Sequence, residues 1–170
     1  MRAMAIVLAL ASAGLAGCFV SKGPLIAANK ADFPYDRIVY TEQGSSRTTT
    51  IVRQGSAYLM QPKGSDGDGH VRLLKVADDL YVVQLDFVEN GQPKDLYGLL
   101  KVDLAAKTVA SYKSIAGDAD AELGPGLSHC DKTDVKQVCI ERLDAYIAYA
   151  RRAIAAGAKP DTVYTIISVE

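Results

Sequence analysis

The chain has 170 residues, 49 % of them hydrophobic, with 19 basic against 20 acidic side chains. That length can bury one core without staples and supports one compact domain. A net charge of −1 with no basic stripe argues against a nucleic-acid binder, and no apolar run approaches the length that spans a bilayer.

Arg2 supplies a positive start, residues 3–13 form a short apolar run, and small residues lead to Cys18. This is the layout of a secretory signal. Within it, Leu15-Ala16-Gly17-Cys18 resembles the lipobox of bacterial lipoprotein precursors. The resemblance covers residues 1–18. It implies that residues 1–17 are a lipoprotein signal peptide and that Cys18 takes a diacylglyceryl thioether and becomes the mature N-terminus. Stable anchoring needs two hydrophobic signals, and diacylation supplies both on one residue. The implied partner is the membrane, through acyl chains on Cys18. The family's rule that Asp after the cysteine favours inner-membrane retention is not met by Phe19, which points to the outer membrane, facing the periplasm. An ordinary secretory signal that happens to end near a cysteine is the alternative.

Residues 18–36 show no sustained period and read as a lipidated tether, with Phe33-Pro34-Tyr35 pinning it to the domain edge. Residues 37–170 read as a single periplasmic α+β domain. Ile38 and Tyr40 alternate with polar neighbours, and residues 47–53 are β-branched, as a pleated surface favours. Residues 56–61 follow a Gln54-Gly55 turn. After a Gly-rich loop over 62–69, strands are expected over 70–77 and 80–88, with Tyr81, Val83, Leu85 and Phe87 on one face. Asn90-Gly91 is the strongest hairpin signal, and the return strand should begin after Pro93, which cannot donate to a ladder. Leu96, Gly98, Leu100, Val102 and Leu104 form its apolar face, and 108–115 closes the meander. Connections this short exclude parallel crossovers between these strands.

Residues 116–133 read as irregular. Asp134 with Gln137 fits a capping box, with Val135, Val138, Cys139, Leu143, Tyr146, Ile147, Ala150 and Ile154 on one helical stripe. The start is open: 135–140 could instead be a short strand, with the helix beginning near Glu141. Gly157 is the natural C-cap and Pro160 the stop. Residues 162–169 read as a terminal strand. The fold expected is therefore α+β: an antiparallel β-meander or small barrel, with one C-terminal amphipathic helix and a terminal strand.

With Cys18 assigned to lipid, Cys130 and Cys139 remain, and an oxidising compartment favours a disulfide between them. A metal site using His129, or a thiol nucleophile, competes with that reading. Asp66 and Asp68 in the Gly-rich loop lack the further ligands of a calcium site. Carboxylates at Asp78, Asp79, Asp86, Asp118, Asp120 and Glu122 could supply a glycan-cleaving pair, although most fall at expected turns. Tyr58, Tyr81, Tyr97 and Tyr112 could line a barrel mouth, but strand packing is the simpler role. No metal, cofactor or catalytic residue is assigned. The functional expectation is a non-enzymatic envelope protein that binds a partner protein or an apolar small molecule, with a cell-wall-directed enzyme such as a glycan hydrolase as the alternative.

Overall fold

The computed structural model describes residues 18–62, 69–89, 92–113, 123–131 and 137–170. Its strands are β1 (Cys18–Ser21), β2 (Arg37–Glu42), β3 (Thr48–Gln54), β4 (Ala57–Pro62), β5 (Gly69–Lys75), β6 (Leu80–Glu89), β7 (Gln92–Asp103), β8 (Thr108–Tyr112), β9 (Leu127–His129), β10 (Gln137–Ile140) and β11 (Thr162–Val169). A single helix, α1 (Leu143–Ala155), precedes β11. Eight strands close on themselves in the order β6-β5-β4-β3-β2-β11-β8-β7, and β7 pairs back to β6. All neighbours around this ring are antiparallel. The expectation of an antiparallel barrel with a C-terminal helix and a terminal strand holds at this level. The terminal strand is the closing stave, between β2 and β8.

The long β6–β7 hairpin is the frame. Its register runs from Leu80↔Lys101 to Glu89↔Gln92, so the connection is the two residues 90 and 91. Their backbone, and with it the expected type I′ turn, lies outside the described residues. The return strand starts at Gln92, not after Pro93. In a two-residue hairpin the flanking pair is the hydrogen-bonded one. The next pair, Val88↔Pro93, is then non-hydrogen-bonded, and the missing proline N–H costs no bond to β6.

One edge of β7 is shared. Its second half pairs with β8, Leu99↔Tyr112 to Asp103↔Thr108. Its first half pairs with β1, Phe19↔Tyr97 to Ser21↔Asp95. The fork falls at Gly98, where a Cβ would sit 3.2 Å from the Tyr112 carbonyl oxygen. Backbone passes too close there for a side chain. Beyond β1 the sheet continues through β10, parallel to β1, and β9, antiparallel to β10.

Two expectations are corrected here. Residues 18–36 are not a tether outside the domain. Cys18, Phe19 and Val20 are buried in β1, and Ile26 and Phe33 are buried in the two cores. The four-residue strand is too short for its alternation to stand out from its surroundings. The helix does not begin at Asp134. Residues 132–136 lie outside the described set, Gln137–Ile140 is strand β10, and α1 starts at Leu143, as the alternative reading had it. Val138 and Ile140 are buried at period two, and that alternation outweighs the helical spacing. At the other end α1 closes in a Schellman motif. Gly157 has φ +88°, its N–H bonds the Ile154 carbonyl at 3.0 Å, and the Ala158 N–H bonds the Ala153 carbonyl at 3.0 Å.

The core has two parts. Inside the barrel, Phe33, Ile38, Ile51, Tyr58, Leu73, Tyr81, Val102, Val109 and Ile166 pack together. Outside it, α1 and the β1–β10–β9 extension cover the outer face of β6–β8, where Phe19, Val82, Tyr97, Leu99, Val138, Tyr146 and Tyr149 meet. Phe19 packs against Tyr146 and Tyr149 at ring-centroid distances of 4.9 and 5.4 Å. Cys130 and Cys139 are bridged, with 4.9 Å between their Cα atoms. The bridge staples the residue that follows β9 to β10.

Candidate functional site

The barrel is filled at one end and hollow at the other. The filled end is plugged from outside the ring by Phe33, whose ring stands edge-on to Tyr35, Tyr58 and Tyr81 at 5.1, 5.5 and 5.1 Å. The Phe33 carbonyl accepts hydrogen bonds from the Tyr58 hydroxyl at 2.8 Å and from Arg53 Nη2 at 2.6 Å. The residues once expected to pin a tether therefore stopper the barrel.

Toward the other end lies an apolar cavity of about 310 Å³. Each strand contributes by alternation: Ile51 from β3, Met60 from β4, Val71 from β5, Val83 and Leu85 from β6, Leu96 and Leu100 from β7. The volume is near the lower bound for small-molecule sites. An eight-stranded barrel is wide enough for its side chains to fill it or to leave room for one small ligand. Here both occur along one axis. Gly98, on an inward position of β7, lines the cavity without a side chain, whereas at Gly69 on β5 a Cβ would meet Leu85 Cδ1 at 2.7 Å, so the glycine there makes room for Leu85.

Few polar groups face this cavity. Tyr40 and Tyr164 stand edge-to-face with centroids 5.0 Å apart. Burial, then the neighbouring Tyr164, push the Tyr40 hydroxyl above the usual phenol range, against a hydrogen bond with Thr49 that pulls it down. It stays protonated. Ser111, on β8, is only 4 % exposed and lines the cavity. Lys113, the first residue past the end of β8, is exposed at its rim.

None of the four tyrosines singled out from the sequence supplies a polar handle here. Tyr58 and Tyr81 fill the stoppered end, and Tyr97 and Tyr112 pack on the outer face. Their rings pack, and the Tyr58 and Tyr97 hydroxyls are used in bonds within the protein, to the Phe33 carbonyl and to Gln84. Tyr40 and Tyr164 line the cavity instead, and inward alternation with Ile38 and Ile166 was the available signal.

The acidic candidates separate similarly. Asp118, Asp120 and Glu122 lie outside the described residues, as do Asp66 and Asp68, and Asp79 pairs with Lys101 at 3.4 Å in an exposed turn. Asp86 stands opposite Asp95 across the hairpin and hydrogen-bonds to it. Carboxyls in hydrogen-bond contact are closer than the roughly 5–9.5 Å that glycoside hydrolysis uses, so this pair does not make a glycosidase centre. Its surroundings are structural. Gln84, fully buried, donates from Nε2 to Asp95 Oδ1 at 2.7 Å. Gln84 Oε1 accepts from the Ile26 amide at 2.8 Å and from the Leu25 amide and the Tyr97 hydroxyl at 3.1 Å each. These bonds strap residues 21–26 to the barrel wall. Burial, then the hydrogen bond and charge of Asp86, raise the Asp95 carboxyl to about 6. No group of three or more His, Cys, Asp or Glu side chains placed to hold a metal occurs among the described residues, and His129 is an exposed residue of β9.

Searches against known protein families, characterised proteins and solved structures find no match to this chain.

Proposed function

We propose that the chain is a lipid-anchored protein of the bacterial cell envelope whose barrel binds a small apolar molecule without chemical conversion. The observation that carries this reading is the barrel that is stoppered by Phe33 at one end and hollow at the other. A cavity lined by aliphatic side chains favours apolar groups and stays poorly hydrated when empty. Space for about ten water volumes sets the ligand's scale at roughly ten to fifteen non-hydrogen atoms.

The anchor rests on the Leu15-Ala16-Gly17-Cys18 tetrapeptide. Its placement fits the same picture. Val20 stands opposite Leu96, so the face of β1 that carries Cys18 and Val20 continues the face of β7 that lines the cavity. Acyl chains on Cys18 would hold the barrel close to the bilayer, a natural source of apolar ligands.

Binding of a neutral, environment-sensitive dye of matching size, such as 1-aminoanthracene, to the full-length protein tests the pocket. Val83→Phe, which fills the cavity from β6, should weaken binding about tenfold or more while the far-ultraviolet circular dichroism is retained; overpacking is expected to cost roughly 1–3 kcal/mol of stability. Equal dye affinity in both proteins would remove the pocket reading.

A further inference from the structure

We propose that the preferred occupant of the barrel is an amphiphile with an anionic head, a short-chain carboxylate being the simplest case, its chain among the aliphatic residues and its head held by Lys113 and Ser111. This inference rests on the pocket reading and adds the chemistry of its mouth.

Three observations lead to it. First, Lys113 is the cation in the cavity lining, and it sits at the rim, where its ammonium can stay solvated. It forms no ion pair with a described residue: the carboxylate nearest in the hydrogen-bond network, Asp161, is taken by the Lys113 backbone amide at 2.5 Å. Second, the Ser111 hydroxyl makes no hydrogen bond to a described residue, although Ser111 is 4 % exposed and lines the cavity. A serine hydroxyl that lines a cavity and has no such partner can donate to a ligand oxygen there. Third, Ser111 on β8 and Lys113, the first residue past its end, both line the cavity. One oxygen of a bound head can therefore meet the hydroxyl while the other meets the ammonium. The lining itself holds no carboxylate; the Asp161 carboxylate lies beside it, held on the Lys113 backbone amide. The neutral Tyr40 hydroxyl lies on the same cavity and adds a donor without adding charge.

The test pairs decanoate with decanol as competitors for 1-aminoanthracene bound to the full-length protein at pH 8. The two share a chain length matched to the cavity and differ in head charge. Charge-assisted hydrogen bonds are about twice as strong as neutral ones, so decanoate should displace the dye about tenfold more effectively than decanol. Lys113→Gln should reduce that preference to about twofold or less, and Lys113→Arg should keep most of it. If both compounds displace the dye equally in wild type, or if Lys113→Gln leaves the preference intact, the anionic-head assignment is overturned while the pocket stands. If neither compound displaces the dye, the pocket reading and this inference both fall.

Discussion

At the scale of single residues, the sequence pattern marks packing positions better than polar ones. The inward alternation of Tyr81, Val83 and Leu85 was legible because period two is enforced by the pleat. The pairing of Gln84 with Asp95 was not, since it depends on a register and on a strap, residues 21–26, that arrives from outside the hairpin. The cavity was equally hidden. Whether an inward Val or Leu fills space or borders it depends on what stands across the barrel. Asp95 gives the sharpest residue-level test. Its folded pKa of about 6 lies above the ordinary carboxyl value near 4. The folded state thus holds a proton that the unfolded chain releases sooner. The associated stability is fully present below about pH 4 and is lost as pH rises through about 6. Asp95→Asn keeps an oxygen for Gln84 and removes the titration. Its stability relative to wild type should therefore rise between pH 4 and pH 7, by on the order of 1 kcal/mol once partial solvent screening is allowed for. Urea denaturation at a series of pH values measures it; a difference that does not change with pH would contradict the assignment.

At the scale of elements, the seven staves β2–β8 and the closing β11 were readable because each is a run of alternating or β-branched residues between turn signals. The elements that escaped are β1 and β9, of four and three residues, while β10, of four, was left open between helix and strand. Runs this short carry little period of their own, and tertiary pairing decides them. β10 shows the competition directly: its residues fit a helical stripe and a strand, and the neighbours β1 and β9 settle the matter. β1 bears on the anchor. Since Cys18 is a buried residue of β1, lipid on it would join the folded domain with no slack, in contrast to the tether expected from residues 18–36. Metabolic labelling with a tagged fatty acid is expected to mark the wild-type protein and not Cys18→Ser. Equal labelling of the two would count against the lipobox reading.

At the scale of the whole molecule, the arrangement is a barrel braced on one side. The helix and the β1–β10–β9 extension stiffen the outer face of β6–β8, the Phe33 stopper closes one end, and the remaining interior is left open. The central claim is that this volume takes up an apolar ligand, and methyl-resolved NMR of the full-length protein titrated with decanoate reads it most directly. The account predicts shifts at Ile51, Met60, Val71, Val83, Leu85, Leu96 and Leu100, with Leu73, Val102 and Ile166 at the stoppered end little changed. Shifts confined to the outer core around Val82, Leu99 and Val138, or none at saturating ligand, would contradict it.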